Sequence, residues 1–146
     1  MCCWIVRTDN SVGGWIGEIK SSGSGNRGIL LLSGNASFRC RNSSNTAATP
    51  GAAHPPINVP FFFAGTWDGT TVRTWVNGVQ TASAALSGAP HTGGATSSLF
   101  DTIGSETKVT DLRYYDEAMT GAELTALMAV PLEAPTPGFV GWGVPL

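Results

Sequence analysis

Phe61-Phe62-Phe63-Ala64-Gly65-Thr66-Trp67-Asp68-Gly69-Thr70-Thr71-Val72-Arg73-Thr74-Trp75-Val76-Asn77-Gly78-Val79-Gln80 decides the fold of this 146-residue chain. The run from Phe61 to Trp67 is aromatic and apolar, and Val72 to Val76 is β-branched and aromatic, the composition of strands that pack on a half-buried surface. Asp68-Gly69 and Asn77-Gly78 are dipeptides that accept positive φ, so each is a tight-turn signal between strands. Two hairpin turns in so short a span predict a β-ribbon.

The flanking chain continues that pattern. Cys2 to Arg7 is apolar on both alternating faces and reads as a buried strand, with Asp9 to Gly14 a turn and Trp15 to Ile19 the returning strand. Ser21 to Asn26 reads as a Gly/Ser loop, Gly28 to Leu32 as a strand, and Ala36 to Arg41 as its partner across Gly34-Asn35. In that partner Phe38 and Cys40 alternate with Ser37, Arg39 and Arg41, one face core and one wet. Asn42 to Pro60, with four prolines, and Ser83 to Ser98, rich in Ala, Ser, Gly and Thr, read as long loops. Thr120 and Glu123 form a capping-box signature ahead of Leu124, Leu127 and Met128, predicting one short helix that packs on the strands and ends at Pro131.

With Gly 19 and Pro 9 and one helical signature, the chain is one all-β domain. Its order of motifs resembles the laminin-G-like branch of the concanavalin A-like jelly-roll superfamily. The motifs are the aromatic strand into Trp67-Asp68-Gly69, the strand ending Val76-Asn77-Gly78-Val79, Ile103-Gly104, and Asp111-Leu112-Arg113-Tyr114-Tyr115-Asp116 running into Thr120-x-x-Glu123-Leu124. The likeness covers Phe61 to Met128 well and Cys2 to Asn42 more loosely. It implies an antiparallel β-sandwich jelly roll over residues 1–130. Relatives usually carry strands before the position of Met1, which implies an edge open to strand addition. Residues 131–146 lie outside the likeness. Rich in Pro and apolar through Phe139, Val140, Trp142, Val144 and Leu146, that tail reads as a docking or assembly arm.

Charged residues are 12% of the chain and the net charge is −2, a sparse charge that fits either surface covered by neighbouring protein subunits or a surface made polar by Ser, Thr and Asn. The eight Lys and Arg are scattered, so no basic face exists for nucleic acid. No apolar run spans a bilayer, and Met1-Cys2-Cys3-Trp4 enters a strand directly; if Met1 is the natural start, no Sec-type export is expected. Adjacent Cys2 and Cys3, with Cys40, read as buried thiols.

Glucanases of this superfamily use alternating carboxylates on one strand, and here no two acidic residues stand two apart. His54 and His91 read as surface histidines in Pro-containing loops, without a nucleophile elbow. Catalysis is therefore not expected. Trp15, Trp67 and Trp75 are candidates for stacking on a pyranose, with core packing the expectation for at least two of them. The resemblance also implies calcium at the sandwich edge. Asp68, Asp101 and Asp116 are its candidates, without the dense Asp/Asn loop that about six to eight oxygens require. The expectation is a non-enzymatic structural or recognition module in a larger assembly, made in a host cytoplasm and carried on a phage virion, with surface glycans as a further partner. The alternative is an extracellular carbohydrate-binding module cut from a longer secreted protein.

Overall fold

The computed structural model describes residues 1–8, 14–21, 24–32, 35–91, 96–98 and 107–129. They form a sandwich of two antiparallel sheets. The first sheet holds, in spatial order, β11 (Thr107–Arg113), β1 (Cys2–Arg7), β7 (Phe61–Trp67), β8 (Thr71–Val76) and β9 (Val79–Ala85). The second holds β10 (Thr96–Ser98), β2 (Trp15–Ser21), β3 (Ser24–Leu32), β4 (Asn35–Arg41) and β5 (Ala47–Ala48), with β6 (Gly51–Ala53) also on β4. β1 is flanked on both sides, so among the described residues β11 rather than the first strand forms that edge.

Alternation along the strands builds the core. Cys3 and Ile5 of β1, Phe61 and Phe63 of β7 and Val72 of β8 face Ile16, Ile29, Leu31, Phe38 and Cys40 of the other sheet, all buried. Opposite faces of the first sheet turn outward: Cys2, Phe62 and Ala64 pack under Leu124 of α1 (Gly121–Ala129), with Trp4, Trp75, Leu127 and Met128 around them. β7 is therefore apolar on both faces because it lies under a sheet on one side and a helix on the other, which explains its unbroken aromatic run.

The two predicted turns are present. Asn77 and Gly78 both have positive φ, 51° and 77°, the geometry that matches the twist of a two-residue hairpin. The Asn77 Oδ1 also accepts the Phe62 amide at 2.9 Å, joining the turn to the next strand over. Thr120 and Glu123 make the capping box: the Thr120 amide and hydroxyl donate to Glu123 Oε2 at 2.7 and 2.8 Å, and the Glu123 amide donates to Thr120 Oγ1 at 3.3 Å.

Three loop readings are corrected. Asn42 to Pro60 contains β5 and β6, which dock on β4 through backbone hydrogen bonds that Ala and Gly side chains do not announce. β2 and β3 extend to Ser21 and Ser24 across the predicted Gly/Ser loop. Ser83 to Ala85 belongs to β9, and Thr96–Ser98 is β10. Asp101 and the whole 131–146 tail, with Phe139, Val140, Trp142, Val144 and Leu146, lie outside the described residues.

Candidate functional site

One end of the sandwich gathers the chemistry. There the β7–β8 turn is fixed by Asp68, whose Oδ1 accepts the Thr70 amide and hydroxyl and the Thr71 amide at 2.6–2.9 Å, while Oδ2 pairs with Arg73. Those hydrogen bonds hold its carboxyl well below the usual carboxylate range. The segment leaving β9 closes over the turn: the Leu86 amide donates to Thr70 O at 2.8 Å, the Gly88 amide to Gly69 O at 3.1 Å, and Trp67 Nε1 to Leu86 O at 2.8 Å. Trp67 is thus held by its indole nitrogen while part of its ring stays open.

The facing wall comes from β11. Its register against β1 slips between Cys2 and Trp4, and Asp111 takes φ 56°, a left-handed conformation that residues other than glycine seldom adopt. Asp111 Oδ1 accepts from Arg113 Nε at 2.6 Å. The slip changes the parity of the strand: Val109 and Leu112, three apart, both pack on the core. Tyr114 follows and lies against Gly17, where an added Cβ would overlap the tyrosine hydroxyl. Gly17 is itself a bulge residue with φ 58°, so two irregularities, one in each sheet, seat one aromatic ring. Partial burial raises the Tyr114 phenol.

Between these walls opens a cleft of about 290 Å³, close to the ~300 Å³ at which small-molecule sites begin. Phe38, made room for by Gly65, and Trp67 line one part, and Tyr114, Tyr115, Asp116 and Glu117 line another. Arg27 and Cys40, cross-strand neighbours on β3 and β4, also reach it. Burial pushes the Cys40 thiol up to about 12, so it is an inert wall group rather than a nucleophile. A second hollow of about 290 Å³ lies between Asp68, Arg73 and Trp75 on one side and Met119 to Gly121 on the other. A smaller one of about 160 Å³ lies between Tyr115 and Glu123. The connection Tyr114 to Thr120 borders all three.

The three candidate tryptophans are not brought together. Trp67 packs toward the space between the sheets, and Trp75 packs on the opposite face beneath α1, its Nε1 donating to Thr66 Oγ1 at 3.1 Å. Trp15 precedes the core residue Ile16 and by alternation faces away from the core of the second sheet. Trp67 alone enters the main cleft, Trp75 borders the second hollow. Among the candidate carboxylates, Asp116 is on the cleft rim, and Asp68 has both oxygens committed to its turn. Among the described residues no three His, Cys, Asp or Glu side chains group as metal ligands. Sequence reasoning missed Tyr115, Glu117 and Arg27 as wall residues. The adjacent pair Tyr114-Tyr115 before Asp116-Glu117, at a strand end, was the available signal.

The sequence matches the laminin-G-like family described as the concanavalin A-like lectin/glucanases superfamily over residues 1–125. No curated protein sequence matches it. Among solved structures, the botulinum neurotoxin serotype G binding domain superposes with TM-score 0.69 at 11% identity, covering 86% of this chain and 34% of that one. The binding domain of Paraclostridial mosquitocidal protein 1 gives 0.63 at 14%, covering 86% and 35%. The binding domain of botulinum neurotoxin DC in complex with SialylT gives 0.64 at 14%, covering 86% and 34%. The chain thus spans about a third of the length of these structures, and the likeness is one of fold.

Proposed function

This chain belongs to the laminin-G-like family of the concanavalin A-like lectin/glucanase superfamily, and from that premise we propose that it is a non-catalytic recognition module holding a glycan in the cleft at the end of its sandwich. The observation that carries the reading is the composition of one wall: two tyrosines, each between a third and a half exposed, run directly into two exposed carboxylates. Aromatic rings offer flat apolar surface to the faces of a pyranose, and carboxylates accept its hydroxyls. Trp67 supplies a third ring, held rigid by its bond to Leu86, which lowers the ordering cost of binding.

Hydrolysis is disfavoured by the same wall. A glycosidase needs two carboxyl groups flanking the scissile bond, whereas Asp116 and Glu117 are chain neighbours and the other described residues of the cleft supply no carboxylate. Support also comes from relatives of the same fold that are binding domains, one of them in complex with SialylT. The context of a larger assembly or a virion rests on the sparse charge, the three free cysteines and the apolar tail at 131–146, which lies outside the described residues, and the cleft reading is independent of it.

The test is a glycan array probed with the full chain and with Tyr115→Ala. The reading predicts retained glycans whose binding weakens about tenfold in the variant, in line with one stacked aromatic, with an unchanged circular dichroism spectrum. Retained glycans bound equally well by Tyr115→Ala and by Trp67→Phe would place the site elsewhere.

A further inference from the structure

Arg27 differs from every other arginine of the chain. Arg73 pairs with Asp68, Arg113 with Asp111, and Arg41 donates to the Asn45 carbonyl and side chain at 2.8 Å. Arg7 and Arg39 also have partners. Arg27 forms no hydrogen bond or ion pair with any described residue, although it shares the inward-facing parity of Ile29 and Leu31 and is partly buried. A guanidinium at the mouth of the inter-sheet space gives up part of its hydration, and among the described residues no counter-charge compensates that loss. The cleft it lines already carries Asp116 and Glu117, yet neither pairs with it. Those carboxylates stand exposed on the rim, where water screens them.

We propose that the cleft selects a carboxylated sugar, its carboxylate received by Arg27. This rests on the glycan reading above and names the class of glycan. A planar guanidinium binds a carboxylate through two parallel N–H···O bonds, which fixes orientation as well as charge. The rest of such a sugar has what the other walls require: hydroxyls that donate to Asp116 and Glu117, and a ring face for Trp67 or Tyr115. A neutral sugar would satisfy the aromatic and acidic walls and leave Arg27 without a partner among the described residues.

The test uses the full chain on an array in which each glycan ending in a sialic or hexuronic acid is paired with its carboxyl-reduced counterpart, alongside sulfated and neutral glycans. The expected result is retention of acid-terminated glycans, with the reduced partners bound at least about tenfold more weakly. Which of the two acid classes is retained identifies the source. Arg27→Gln should abolish the difference within each pair, and Arg27→Lys should keep part of it. Equal binding of acid and reduced forms by the unaltered chain, or a preference for sulfated glycans, overturns the carboxylate assignment and leaves the glycan reading standing. Retention of no glycan of any kind overturns both. The paired ligands make the comparison on the native protein, so it holds even if an Arg27 variant misfolds.

Discussion

At the scale of single residues, close approach and charge placement set what the chain tolerates. Gly65 lies on the core-facing side of β7 where an added Cβ would overlap the Phe38 ring. Gly65→Ala should therefore destabilise the fold by about 3 kcal/mol, read by urea unfolding, because the Phe38 side chain and the β7 backbone must move apart to admit the methyl. Asp68 provides a pH signature. Its folded pKa lies below that of an unfolded carboxyl, so its turn bonds stabilise the fold fully above the unfolded value, about 3.9, and the contribution is lost as pH falls through the depressed folded value. Carbon-13 titration of that carboxyl should show it still ionised at pH 3; an ordinary midpoint near 4 would mean the turn network is not formed in solution. The thiols run the other way. Burial raises Cys2, Cys3 and Cys40, so their contribution is full below the unfolded value, about 8.5, and is lost as pH rises toward the folded values. At pH 8 the native chain should not react with a disulfide reagent, while the denatured chain should react at all three positions.

At the scale of elements, α1 is held by its cap and by one buried leucine. Thr120→Ala should cost about 1 kcal/mol by removing the capping box. Leu124→Ala should cost about 3 kcal/mol by opening a void over Phe62 and Ala64, and the tryptophan fluorescence of Trp75 should shift to the red as its cover loosens. Unchanged fluorescence would mean the helix does not seal that face. The hairpins and this helix were legible in the sequence because their signals are local: two dipeptides with positive φ, and a Thr and Glu three residues apart. β5 and β6 were not, since Ala and Gly strands pair by backbone and leave no alternation to read. The β11 slip at Asp111 was invisible for a related reason. An Asp in a left-handed conformation is permitted by its short polar side chain, and only the pairing with β1 reveals it.

At the scale of the whole molecule, the cleft is made by elements remote in sequence. Arg27 comes from β3, Phe38 and Cys40 from β4, Trp67 from the end of β7, and Tyr114 to Glu117 from the exit of β11. The jelly roll was readable from the order of motifs, but which motif residues line a cavity depends on the bulges at Gly17 and Asp111: Trp67, named for sugar stacking, and Asp116, named for calcium, border the cleft, and Arg27, Tyr115 and Glu117 border it without having been named. Trp15 and Trp75, singled out for the same chemistry as Trp67, lie on other faces because strand alternation separates side chains of equal character. Recognition in this cleft is tested most directly by nitrogen-15 chemical-shift mapping of the full chain titrated with the glycan best retained on the array. The account predicts perturbations centred on the Trp67 indole, the Arg27 guanidinium and the amides of Tyr114 to Glu117. Shifts centred on Trp15, or beneath α1 at Trp75, with the cleft unmoved, would contradict it.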